Sequence, residues 1–167
     1  MIGSATFHTA SPAESRALGR ALGERLGPGS LVALVGDLGA GKTVLVQGIA
    51  RGAGYDGCVS SPSFVIMNEY EGRLPIYHVD LYRISDPNSL YDLGYREVFW
   101  SEGVTLVEWA DRALEFLPET RLDLAIEFAG PTSRVLRAVA RGEEISRVLG
   151  SLENAWSGGR GDADPDD

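Results

Sequence analysis

Cysteine occurs once in the 167 residues, at Cys58, so no internal disulfide can form and no paired redox motif exists. That usage suits a reducing compartment. Histidine occurs twice, at His8 and His78, which with a single cysteine leaves no zinc constellation. Long apolar runs are missing: none approaches the roughly 20 residues of a membrane span. The start, Met-Ile-Gly-Ser-Ala-Thr, has no basic stretch followed by an apolar one. A cytoplasmic location without a membrane partner is the expectation.

Positive charge is scarce as well. The chain has 15 Lys and Arg against 24 Asp and Glu, a net charge of −9, which repels a phosphate backbone unless the cations cluster. Unaided nucleic-acid binding, to DNA included, is therefore not expected. Scarcest is lysine: every basic residue but one is arginine, and the exception is Lys42.

Hydrophobic residues make up 44% of the chain, enough for one core. Residues 1–156 read as a single domain and 157–167, with four Asp and one Arg, as an acidic, disordered tail. Ala13, Ala17, Leu18, Ala21, Leu22 and Leu26 recur at helical spacing after a candidate cap at Ser11, and Gly27-Pro28-Gly29 ends the run. The wholly apolar Leu31-Val32-Ala33-Leu34-Val35 predicts a strand buried on both faces. A helix is predicted over 42–51, then a loop over 52–63 long enough to suggest a function.

Residues 64–70 and 75–82 predict a hairpin about Glu71-Gly72-Arg73. A helical turn runs from Asp86-Pro87 towards Leu93, and 104–107 is a further short apolar strand. Residues 122–128 and 135–140 predict an antiparallel pair, and 143–156 a closing helix. Strands interleaved with helices give an α/β fold of three layers, with a mostly parallel central sheet and antiparallel edge strands.

Gly36-Asp37-Leu38-Gly39-Ala40-Gly41-Lys42-Thr43 satisfies G-x-x-x-x-G-K-[ST] between an apolar strand and a helix, the setting that gives the pattern its meaning. Glycines let backbone N–H groups turn towards phosphates, and the helix start at Thr43 and Val44 adds partial positive charge. Lys42 is expected to reach the β- and γ-phosphates, where a compact ammonium serves better than guanidinium. The Thr43 hydroxyl is expected to face Mg²⁺.

In P-loop proteins a carboxylate at the end of a neighbouring strand commonly holds the metal. Two candidates fit, Asp80 after Ile76-Tyr77-His78-Val79 and Glu108 after Val104-Thr105-Leu106-Val107, and the residues alone leave both open. Strand alternation places His78 on one face with Asp80, Ile76 and Tyr82, where it reads as a packed, hydrogen-bonded side chain. No lysine follows Lys42, so the Asn-Lys-x-Asp motif that reads guanine is absent and ATP is the expected nucleotide.

Taken in order, these motifs resemble the TsaE family, the ATPase subunit of the bacterial machinery that makes threonylcarbamoyladenosine in tRNA. The phosphate loop is similar to that family's. Ser61-Pro62-Ser63-Phe64 looks like its Ser-Pro-Thr-Phe switch segment, His78-Val79-Asp80-Leu81-Tyr82-Arg83 like its His-x-Asp-x-Tyr-Arg, and Val107-Glu108-Trp109 like its Val/Ile-Glu-Trp. Two departures are Ser63 for Thr and Ala110 where Pro is common.

The resemblance implies that Thr43 and Glu108 hold Mg²⁺, that Asp80 supports hydrolysis near the γ-phosphate, and that Ser61, Pro62, Ser63 and Phe64 respond to nucleotide state. It also implies that Arg134 contacts the nucleotide and that Ser11 lies near adenine. The implied partners are TsaD and TsaB, whose complex TsaE binds and resets between turnovers; Trp109 and the switch are candidates for the coupling surface. Two other classes stay open, a small-molecule kinase and a nucleotide-dependent binding module. Against the kinase, Arg73, Arg83, Arg96 and Arg112 are too scattered to form an arginine-rich lid.

Overall fold

The computed structural model describes residues 2–61 and 67–158. Seven strands among these residues make one sheet: β1 (Ile2–Thr9), β2 (Leu31–Gly36), β3 (Met67–Glu71), β4 (Pro75–Asp80), β5 (Val104–Glu108), β6 (Arg121–Phe128) and β7 (Arg134–Arg141). Their order is β1-β7-β6-β2-β5-β4-β3. The central neighbours β6, β2, β5 and β4 run parallel, while β1–β7, β6–β7 and β3–β4 pair antiparallel. The fold is thus the expected mixed α/β one, with its parallel part in the centre.

Strand β2 shows why its run is wholly apolar. Val32 and Leu34 face a core shared with α1 (Pro12–Gly23), α2 (Lys42–Gly52) and α4 (Glu143–Gly158), whereas Leu31 and Ala33 face a second core. That second core is built from α3 (Tyr95–Phe99) and two 3-10 segments, Pro87–Leu93 and Ala110–Phe116. Helices cover both faces, so neither row of β2 side chains meets water.

Helices α1 and α2 approach too closely for side chains at their crossing. A methyl group on Gly19 would lie 2.6 Å from the Leu45 carbonyl oxygen, and Gly23, Gly48 and Gly52 would collide likewise with Ile49, Arg16 and Arg20 backbone. Arg73, in the β3–β4 turn, fixes the far end of the pair. Its guanidinium donates to Gly52 O at 2.8 Å and to Gly23 O and Leu26 O at 3.2 Å each, a cation at two helix C-termini.

Several boundaries differ from expectation. Helix α1 stops at Gly23 rather than at Gly27-Pro28-Gly29: Arg25 N bonds Leu22 O, the Arg25 guanidinium takes the Ala21 carbonyl, and Arg73 takes Gly23 O and Leu26 O; Leu26 is buried beyond the helix end. Strand β1 has no counterpart in the sequence reading: among its inward residues only Phe7 is large and apolar. Strand β4 ends at Asp80, so Tyr82 is not on its face, since the Asp80 carboxylate accepts from Tyr82 N at 2.9 Å and turns the chain. Residues 64–66 of the expected third strand, and the tail from 159 on, lie outside the described residues. No helix among the described residues is long and apolar enough to cross a membrane.

Candidate functional site

The carboxyl ends of β2, β4 and β5 meet at one level of the sheet. Asp80 and Glu108 are register partners across β4 and β5, and Leu34 pairs with Glu108 across β2 and β5. Two carboxylates therefore stand side by side where β2 opens into the glycine-rich loop. Gly39 and Gly41 carry it through left-handed backbone, φ 81° and 106°, which favours residues without a Cβ. Gly41 is also the N-cap of α2 and offers no capping side chain, so the first N–H groups of the helix stay available to an anion.

A cleft of about 410 Å³ opens here, lined by Leu38, Gly39, Gly41, Lys42, Thr43, Val44, Ser61, Asp80, Tyr82, Glu108 and Trp109. That volume suits a small ligand. The Thr43 hydroxyl donates to Glu108 Oε1 at 2.9 Å, and Ser61 Oγ donates to Asp80 Oδ2 at 2.8 Å. His78, fully buried, meets Glu108 Oε2 through Nε2 at 2.5 Å. Lys42 donates to the Gly36 and Asp37 carbonyls, and its ammonium sits 3.9 Å from the Trp109 ring centroid. Burial pulls the Lys42 pKa below its ordinary value, opposed by the nearby charges of Glu108, Asp111, Asp80 and Asp37.

Trp109 is the only non-glycine residue among those described with positive φ, 57°, directly after β5. Backbone in that region costs an ordinary residue about 1–2 kcal/mol, so neighbouring contacts must hold it. Its ring packs on Tyr82, with centroids 4.8 Å apart, and Arg112 lies over both rings.

The other expected residues stand behind the cleft. Gly36 and Asp37 supply the carbonyls that hold Lys42. Ala40 is buried, and its carbonyl accepts from Arg134 Nε at 2.8 Å, with the guanidinium 4.5 Å from the Phe128 ring centroid. Arg134 thus braces the loop from β7. Ser11 caps α1, accepting from Glu14 N at 3.1 Å, and the Thr132 hydroxyl donates to the neighbouring Ala10 carbonyl. Pro62, Ser63 and Phe64 lie outside the described residues. The sequence reading missed Tyr82 as a cleft residue, although it stands in the His78–Arg83 motif.

Similarity to known proteins follows the same residues. The family model described as "Threonylcarbamoyl adenosine biosynthesis protein TsaE" matches residues 9–136, from the end of β1 into the start of β7. The chain belongs to the TsaE family. A TsaE protein of Bacillus subtilis is 42% identical over 149 residues, 84% of this chain and 93% of the relative. One from Streptomyces coelicolor is 43% identical over 129 residues, 74% of this chain and 86% of the relative. Both are named tRNA threonylcarbamoyladenosine biosynthesis proteins. Among solved structures, the crystal structure of YdiB from Bacillus subtilis superimposes with a TM-score of 0.81 at 36% identity, covering 93% of this chain and 97% of that one.

Within this TsaE chain the oxygen donors fit a hard cation. Thr43, Glu108 and Asp80 offer a hydroxyl and two carboxylates, the chemistry Mg²⁺ selects. Among the described residues no group of three or more His, Cys, Asp and Glu could hold a metal by itself. A metal in the cleft would therefore need ligands from a bound nucleotide and water.

Proposed function

We propose that this TsaE protein binds ATP with Mg²⁺ in the cleft and hydrolyses it in support of tRNA threonylcarbamoyladenosine formation, by engaging a TsaB–TsaD complex and resetting it between turnovers. The observation that carries the reading is the meeting of Lys42, the uncapped start of α2 and the Thr43–Glu108 pair in one cleft. In this reading Thr43 and Glu108 would hold Mg²⁺ directly, which their mutual hydrogen bond supports. When bound, the cation would offset charge on the β- and γ-phosphate oxygens.

Lys42 would leave the Gly36 and Asp37 carbonyls for those oxygens, and the N–H groups at the start of α2 would take the rest of the phosphate charge. Asp80 lines the same cleft and would orient an attacking water. No residue of the cleft supplies a lysine of the guanine-reading kind, which supports ATP. The acidic chain, at −9, supports action through protein partners rather than on tRNA directly. A cytoplasmic site of action follows from that role.

The kinase alternative has less behind it, because Arg73 is committed to helix carbonyls and Arg112 to the Tyr82 and Trp109 rings. Phosphate release from Mg-ATP, measured with and without TsaB and TsaD, tests the proposal. Turnover should be slow alone, faster in complex and absent in Lys42→Ala; turnover indifferent to the partners would overturn the coupled role. Product that appears only as a phosphorylated acceptor would favour the kinase.

A further inference from the structure

A buried run of hydrogen bonds starts behind Glu108. His78 uses both ring nitrogens, Nε2 on Glu108 Oε2 and Nδ1 at 3.1 Å from the Tyr70 hydroxyl. Tyr70 Oη also lies 3.2 Å from the Ser60 carbonyl oxygen. Asn68 Nδ2 reaches that carbonyl at 3.2 Å and Tyr70 Oη at 3.5 Å. The next residue, Ser61, holds Asp80. Consecutive residues after α2, Ser60 and Ser61, are therefore tied to the two carboxylates, Ser61 directly and Ser60 through two buried side chains.

Counting protons gives the run a direction. Burial raises the Tyr70 pKa, so the phenol keeps its single proton, and two acceptors compete for it. Asn68 has two amide protons, one for Ser60 O and one for Tyr70 Oη. The Glu108 carboxylate can only accept, so the imidazole presents Nε2–H to it and His78 Nδ1 accepts the Tyr70 proton, while Asn68 serves the Ser60 carbonyl. Glu108 then accepts from His78 on one oxygen and from Thr43 on the other, and its carboxylate plane is fixed. Outer partners of this kind orient a ligand and commonly change metal affinity when removed.

We propose that His78 and Tyr70 are positioning residues that aim the Glu108 carboxylate towards Thr43 and couple its orientation to the backbone of Ser60. The proposal rests on the Mg-ATP reading of the cleft. A histidine that merely fills the core would not make metal binding depend on Tyr70 or Asn68.

The test uses the full chain labelled with ¹⁵N-histidine. Only two histidines contribute signals, and His8 is exposed on β1. At neutral pH His78 should appear as a single Nε2–H tautomer. Tyr70→Phe, which keeps the ring stacked on Tyr55, should retain that tautomer but shift the Nδ1 resonance, which loses the hydrogen bond it accepts. Asn68→Ala should do the same, because Ser60 then draws the Tyr70 proton away; this residue is half-buried on a hairpin strand, so its loss is compatible with folding. In binding of a fluorescent ATP analogue, the half-saturating Mg²⁺ concentration should rise on the order of tenfold in both variants, with a smaller change in EDTA.

An Nδ1–H or doubly protonated His78 in the wild type would overturn the proposal. So would a shifted Nδ1 resonance with an unchanged Mg²⁺ requirement, or variants that behave as wild type. Should the wild type fail to bind the Mg-bound analogue, the ATP reading falls, while the histidine signals still decide whether the hydrogen-bond run exists.

Discussion

The Lys42 ammonium lies 3.9 Å from the centre of the Trp109 indole, and it donates to two carbonyls of its own loop. A contact of this kind contributes about 0.5–2 kcal/mol, increasing with desolvation. Phosphates offer the ammonium more, so nucleotide binding should draw Lys42 from beneath the ring. Tryptophan emission should change on adding ATP, and the change should vanish in Trp109→Phe, which leaves Trp100 and Trp156 in place. A full response in that variant would place the reporter elsewhere.

Trp109 also carries a conformational cost. With φ 57°, glycine suits the position better than alanine once the indole is gone. Trp109→Gly should unfold in urea about 1 kcal/mol later than Trp109→Ala, the reverse of the order in an ordinary strand or helix. Equal midpoints, at equal m-values, would show that the backbone relaxes when the ring is removed.

The pKa of Lys42 sets a sign for alkaline stability. Its folded value lies below its ordinary 10.5, so between the two the folded chain has released a proton that the unfolded chain still binds. Stability from this group therefore rises with pH across that window, and its full desolvation cost applies below it. Lys42→Met should be more stable than wild type at neutral pH, with the advantage shrinking as pH climbs towards 10.5. Urea titrations at several pH values read this directly; a constant difference would contradict it.

Glycines in this chain are not equivalent. Gly48→Ala would drive a methyl group into the Arg16 carbonyl across the α1–α2 crossing, and should cost about 1–3 kcal/mol. Gly150, in α4, has open space around it, so Gly150→Ala should gain about 0.5–1 kcal/mol. Thermal midpoints that move in the same direction for both would refute the packing argument.

Arg134 supports the phosphate loop rather than lining the cleft. Arg134→Ala removes the donor to the buried Ala40 carbonyl and should weaken ATP and ADP to a similar degree, several-fold at about 1 kcal/mol per lost hydrogen bond. Loss confined to ATP, in direct titrations of both, would mean a γ-phosphate contact instead.

How much of this was legible depends on how local the determinants are. The loop from Gly36 to Thr43 is a contiguous pattern, and the parallel pairing of β4 with β5 makes Asp80 and Glu108 register partners because each ends its strand. Strand β1 was not legible: an edge strand with one covered face needs few apolar residues, and Phe7 alone gives little alternation. Helix α3 and the 3-10 segment Ala110–Phe116 were missed because five to seven residues are too few for a helical period to show. Tyr70 could not be found as a partner of His78, since they meet diagonally across the hairpin, Tyr70 pairing with Ile76 and His78 with Asn68. The left-handed backbone at Trp109 leaves no trace in a residue type that seldom adopts it.

A lysine-specific protease would find one bond to cut in the whole chain, after Lys42, and that residue is 5% exposed in the first turn of α2. Cleavage would require this turn to leave its place, so the digestion rate would count openings of the glycine-rich loop, local or global. Nucleotides, metal ions or partner proteins that quieten the loop would slow the cut in proportion, without any label being added.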